Sequence, residues 1–173
     1  NVEFKLQFRS ALPRGSDAGA HIRYDRTDLL PPRPGPLKVH DRMDDHVGVM
    51  QLFPGIRAEW ASALLSDTSL KAAVITTFGS GNGPTDKAFL DVLRVARQRG
   101  VVLVNTTQCV GGRVEQGRYQ TSKAFVEIGV VSGHDMTMEA AITKLMFLFG
   151  QGLGKAEVMR RMGEAICGEI LVP

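Results

Sequence analysis

The sequence predicts an α/β domain: a small parallel sheet of about four strands flanked by helices. Three observations carry that reading. Short apolar runs (Val47 to Phe53, Ala72 to Phe78, Val101 to Asn105) lack polar alternation, as strands buried on both faces do. Each run closes on a Gly-, Pro- or Thr-rich turn, and a stretch of helical period follows it. Strand, turn and helix in repetition are βαβ units, which require a parallel sheet.

The elements follow in order. After Val47 to Phe53 and the Pro54-Gly55 turn, Trp60, Ala63 and Leu64 share one helical face at i, i+3, i+4. Ala72 to Phe78 ends in Gly79-Ser-Gly-Asn-Gly-Pro84. Thr85 or Asp86 then caps a helix that turns Phe89, Leu90, Leu93 and Ala96 inward and stops at Gly100. Val101 to Asn105 is the third strand, followed by the loop Thr106 to Gly112. A helix over about 121–127 leads to a short fourth strand, Ile128 to Ser132. Asp135, or else Thr137, caps a helix burying Ala141, Ile142, Leu145, Met146, Leu148 and Phe149. A last helix is expected from about Lys155 to Ile170, with Val158, Met162 and Ile166 on one face and Cys167 in the core. No fixed-period repeat runs through the chain, which excludes a solenoid.

Residues 1–46 differ from the rest. Phe4, Leu6 and Phe8 alternate with polar residues, and His21 to Tyr24 fits a short edge strand. Pro31, Pro32, Pro34 and Pro36 cannot sit inside a helix or a central strand, because each lacks an N–H and has a fixed φ. This segment reads as a linker with edge strands from an interdomain region, and 47–173 as the α/β domain. Composition alone leaves a surface arm of the same domain as an equal alternative.

Composition excludes several functions. The 173 residues, 43% hydrophobic and 23% charged, suffice for one core. The longest apolar patch, Leu145 to Phe149, is far short of the roughly 20 residues of a membrane span, so no membrane partner is expected. The opening Asn-Val-Glu-Phe-Lys has neither an initiator Met nor a signal-peptide core, so position 1 need not be where the gene begins. A net charge of +3, with scattered basic residues, one Trp and two Tyr, lacks the footprint of a nucleic-acid partner. Cys109 and Cys167 have no CxxC spacing, which predicts reduced thiols and a cytoplasmic protein. His21, His40, His46 and His134 are isolated, with no H-x-x-x-H pattern, so no protein-built zinc site is expected.

In an open parallel sheet, ligands bind beyond the carboxyl ends of the strands. The loops expected there are rich in Gly, Ser, Thr and Asn and nearly free of charge, which suits a small polar ligand such as an amide or amino acid. Gly79 to Gly83 is neither a dinucleotide fingerprint, since Pro84 replaces the third glycine, nor a P-loop, since it lacks Gly-Lys-Ser/Thr. Asn82 is the candidate ligand donor of this turn. Cys109 reads as a buried packing sulfur rather than a nucleophile. His134-Asp135 resembles an acid/base pair, but Asp135 reads better as a helix cap. The residues thus offer a ligand-shaped edge without a nucleophile, base and oxyanion set.

Four motifs in order resemble the C-terminal half of cytoplasmic type I L-asparaginases: Phe53-Pro-Gly-Ile56, Thr77-Phe-Gly-Ser-Gly-Asn-Gly-Pro84, Arg99 to Cys109 and Gly129 to Ala141. Ala18-Gly19, the Pro-rich segment and Gly168-Glu169-Ile170 fit as well. The resemblance implies hydrolysis of L-asparagine to aspartate and ammonia by a threonine nucleophile, without metal or cofactor. It also implies a two-domain α/β enzyme that assembles as a homodimer or homotetramer. The family's catalytic motifs, Thr-Gly-Gly-Thr and Thr-Asp-Thr, belong to its N-terminal domain and occur nowhere in these 173 residues. The expectation is therefore a C-terminal domain with no catalytic residue of its own, inactive alone, whose partners are its N-terminal domain and L-asparagine. By the same resemblance, Asn82, Thr107 and Cys109, with Gly81 beside them, match an asparagine effector site. An arginine of that site falls at Thr76, which removes the guanidinium expected to grip the ligand's carboxylate. Two alternatives stand beside this reading: a stand-alone amino-acid-binding regulatory module, and the matching domain of an asparaginase-like amidotransferase subunit, which would need an RNA-binding extension.

Overall fold

Four parallel strands form the sheet in the order β1-β2-β3-β4: β1 Val47–Gln51, β2 Ala72–Thr77, β3 Val102–Thr107 and β4 Val131–Ser132. Five helices connect and follow them: α1 Ala58–Leu65, α2 Lys87–Gln98, α3 Gln120–Ile128, α4 Met138–Gly150 and α5 Lys155–Met162. The structure, a computed structural model, describes residues 35–36, 38–117 and 120–171 (for 120 and 121 the backbone only). The edge strands expected at Phe4 to Phe8 and His21 to Tyr24, with Pro31, Pro32 and Pro34, lie outside the described residues.

Alternation along the two central strands sends side chains to two separate cores. Ala73, Ile75 and Leu103 pack with Met50 and Leu52 against α1, α2 and α3. Ala72, Val74, Val102 and Val104 pack against α4 and α5. Every residue of β2 is buried, as its unbroken apolar sequence predicts. The α2 helix starts on Asp86, whose carboxylate accepts the Phe89 N–H at 3.0 Å, and ends before Gly100 at φ 85°.

Several local expectations are corrected. The buried stripe of α1 is Ala61 and Leu65, whereas Ala63 is exposed and Trp60, 52% exposed, lies against Phe53 with ring centroids 5.6 Å apart. This helix is apolar on most sides, so periodicity could not single out its inward face. The β3 strand continues through Thr106 and Thr107, expected in the loop, because both pair in register with Thr76 and Thr77.

The last helix ends at Met162 rather than Ile170. There the Lys144 ammonium takes the carbonyls of Met162 and Glu164, while the Glu169 carboxylate accepts the Ile166 and Cys167 N–H groups. These contacts fold 163–171 into turns, so Ile166 and half-buried Cys167 lie beyond the helix. Thr137, not Asp135, caps α4 by accepting the Ala140 N–H. The Asp135 carboxylate instead holds the Leu171 N–H, fastening the end of the chain to the β4–α4 turn.

Candidate functional site

The turns after β2 and β3 are braided at the carboxyl edge of the sheet. Phe78 and Asn82 form an isolated antiparallel bridge that closes Gly79 to Gly81 into a tight turn. Gly81 is buried at φ 105°, and a Cβ there would collide with Val114 and crowd Asn105 Nδ2. Only glycine combines that backbone with that lack of space.

Beneath this turn lies a satisfied polar clamp. Thr77 Oγ1 donates to Asn105 Oδ1 at 2.7 Å, and Asn105 Nδ2 donates to the Gly81 carbonyl at 3.1 Å. Both side chains are fully buried, so each bond replaces one that water would otherwise make. Gln108 extends the clamp sideways, donating to the carbonyls of Leu52 and Thr76 and tying the ends of β1 and β2 to the third loop.

The residues singled out in the sequence divide by position. Thr107 Oγ1 donates to the Gly79 carbonyl and accepts the Cys109 N–H at 3.0 Å. Asn82 Nδ2 lies 3.8 Å from where a Cβ on Gly79 would stand. Gly81, Asn82, Thr107 and Cys109 thus meet around one turn. Thr76 does not join them: its register partner is Thr106, and both belong to the opposite face of the sheet, toward α4. The hydroxyls of Thr76 and Thr106 are buried without a hydrogen-bond partner among the described residues. Cys109 is exposed, contrary to the buried packing sulfur expected, because it lies beyond Gln108, the last residue of this loop whose N–H bonds to β2.

His134, at φ 55°, sits on the next loop. Burial, and then the nearby Arg113, hold its imidazole below the ordinary histidine value. Its sequence neighbour Asp135 is turned to the Leu171 N–H, so the two do not form an acid/base pair. Asp44, Asp45 and His46 bring three potential metal ligands within 4.8 Å of one another. The Lys71 ammonium, 2.5 Å from Asp44, already supplies the positive charge there.

Sequence reasoning missed three contributors: Asn105, Gln108 and the Lys144–Glu169 pair. A polar residue inside an apolar run was the available signal for Asn105. Lys144 and Glu169 lie 2.7 Å apart, both almost wholly buried, and nothing in their local sequence marks them as partners.

The edge of the sheet therefore offers a glycine-lined surface shaped by neutral hydrogen bonds, without a paired nucleophile and base among the described residues. Residues 46–162 match the Glutaminase/Asparaginase C-terminal domain. The chain is 40% identical over 159 residues to L-asparaginase 1 of Escherichia coli (strain K12), covering 92% of this chain and 47% of that protein. It is 48% identical over 115 residues to the 60 kDa lysophospholipase of Homo sapiens, covering 66% of this chain and 20% of that protein. The crystal structure of L-asparaginase I from Vibrio cholerae aligns with a TM-score of 0.78 at 37% identity, covering 90% of this chain and 47% of that one. The chain spans about half the length of these two asparaginases.

Proposed function

The chain belongs to the glutaminase/asparaginase family, whose C-terminal domain it carries, and we propose on that footing that it is the non-nucleophilic half of an L-asparaginase. The observation that carries this reading is the carboxyl-edge loop cluster. It is built from neutral groups that suit a pocket wall: Thr77 and Asn105, buried and bonded to each other, and exposed Gln108, which donates to the carbonyls of Leu52 and Thr76. The bond-breaking threonines belong to an N-terminal domain, and this domain excludes water and builds the homodimer or homotetramer in the cytoplasm. No described helix is long and apolar enough to cross a membrane. The human relative carries a different name, on a protein of which this chain covers a fifth.

A second role belongs to Gly81, Asn82, Thr107 and Cys109: binding asparagine as an effector. The Thr107 hydroxyl already donates its proton to the Gly79 carbonyl. Thr76 is short, buried and on the other face, so no guanidinium grips the ligand's carboxylate, and weak binding is expected.

The test is reconstitution. The chain alone should release no ammonia from L-asparagine, and joining it to an asparaginase N-terminal domain should restore hydrolysis. Hydrolysis by the purified 173-residue chain would overturn the reading. Calorimetry with L-asparagine separates the effector role, since binding that Asn82→Ala abolishes supports it and no heat at all removes it.

A further inference from the structure

The two edges of the sheet differ. At one, β4 offers only two residues, too short to invite another strand. At the other, β1 offers five, Val47–Gln51, with no charge and no proline to turn a strand away. The parity of its bonds shows which of its backbone groups are open. The His46 carbonyl accepts the Lys71 and Ala72 N–H groups, and the Leu52 N–H donates to the Thr76 carbonyl, so the even-numbered residues face β2. The N–H and C=O groups of Val49 and Gln51 therefore point away from the sheet, with no partner on that side among the described residues.

Beside this edge the two faces are unequally covered. Toward α1, Met50 is buried, and Leu64 and Leu70 close over Gly48. Toward α4, Val49 stands in register with core residue Val74 yet is 38% exposed. Met43, in the segment that runs along α4 into the strand, is exposed as well.

Residues 2–8, which lie outside the described residues, match what this edge lacks. Their alternation sets Val2, Phe4, Leu6 and Phe8 on one side of an extended chain and Glu3, Lys5 and Gln7 on the other. Such a row gains by covering apolar surface, and its backbone needs a strand to pair with. Residues 9–37 join it to Lys38, a reach of roughly 90 Å at about 3.3 Å per residue, against about 17 Å for the length of β1.

We propose that the open edge of β1 is a strand acceptor and that residues 2–8 of the same chain occupy it, with Phe4 and Leu6 on the α4 side beside Val49. The tether favours the chain's own segment over that of a second copy, because it holds the segment at an effective concentration that free chains do not reach. The inference does not depend on the asparaginase reading, which concerns the carboxyl-edge loops.

Amide hydrogen exchange of the 173-residue chain, followed by NMR, tests it. The Val49 and Gln51 amides should be protected, and Phe4→Asp/Leu6→Asp should speed their exchange about tenfold or more. Lys5→Asp, on the polar side of the segment, should not. The Val74 and Val104 amides, inside the sheet, should stay protected in all three chains, which shows that the fold persists. Free exchange of Val49 and Gln51 in the parent chain overturns the proposal, and so does protection that the double variant retains. Protection lost on dilution assigns the edge to a second copy and overturns pairing within one chain.

Discussion

The two faces of the sheet solve the same problem differently. At neighbouring register positions, the face toward α1, α2 and α3 carries Thr77 and Asn105, whose polar atoms are satisfied by each other and by the Gly81 carbonyl. The face toward α4 and α5 carries Thr76 and Thr106, equally buried, with neither hydroxyl partnered among the described residues. Farther along that second face the polar content is charged: Lys144 and Glu169, exposed by only 3% and 1%, sit 2.7 Å apart. One face uses neutral hydrogen bonds to shape a loop, and the other uses a buried ion pair to close the end of the chain. Burial alone therefore does not tell which polar side chains matter; the partners do.

The sharpest way to break this contrast is the ion pair. Burial drives the Glu169 carboxyl upward, but Lys144 and the Cys167 and Ile166 N–H groups outweigh it and hold it below the usual carboxylate value. Burial pulls the Lys144 ammonium below its ordinary value despite the carboxylate beside it. Lys144→Met or Glu169→Gln leaves the other member buried and unpaired, and either should cost about 3–5 kcal/mol in urea unfolding at neutral pH. The paired replacement Lys144→Met/Glu169→Leu should cost much less than the two singles together. Additive losses would show that the two groups do not act as a pair.

Next comes the neutral clamp. Asn105→Ala leaves the Gly81 carbonyl without its donor and removes one of the two acceptors of Thr77 Oγ1, the Thr106 carbonyl remaining, for an expected loss of about 2–4 kcal/mol in the same assay. The closest comparison sets Thr77→Val against Thr76→Val. Losing the Thr77 hydroxyl unpairs Asn105 Oδ1 and should cost about 1–3 kcal/mol. Losing the orphaned Thr76 hydroxyl should leave stability unchanged or raise it by up to about 1 kcal/mol. Equal losses at the two positions would mean that the second face holds a hydrogen-bond partner after all.

The smallest effect is at the surface. The hydrogen bond from Lys71, with further bonds from His46, holds Asp44 at about 2, below its ordinary 3.8. A carboxylate depressed on folding contributes stability above its unfolded value and loses it as pH falls through the folded one. Wild-type stability should therefore drop between about pH 4 and pH 2 by a margin that Asp44→Asn does not show. Because Lys71 is 43% exposed, that margin should be under about 1 kcal/mol. A larger margin would mean the pair is shielded from water.

Much of the fold was legible because its signals are local. The unbroken apolar run Ala72 to Thr77 announced a strand buried on both faces, and Asp86 and Gly100 bracketed α2 with cap chemistry carried in the residues themselves. Motif order carried the loop cluster at Gly81, Asn82, Thr107 and Cys109. Where local signals were degenerate, the reading slipped. The nearly all-apolar α1 gave no inward face, and apolar spacing alone carried α5 on to Ile170. That spacing could not register a lysine on α4 that takes the helix's terminal carbonyls.

By itself, then, the sequence determined the alternation of strand and helix, the glycine turns at the carboxyl edge and the absence of the family's threonine motifs, because periodicity, φ preference and motif order are properties of neighbouring residues. Only the tertiary structure decided that Asn105 clamps Gly81 and that Lys144 finds Glu169. Hydrogen bonds and charge pairing act across a few ångströms of space, and the distance along the chain between the groups that meet is invisible until the sheet has brought them together.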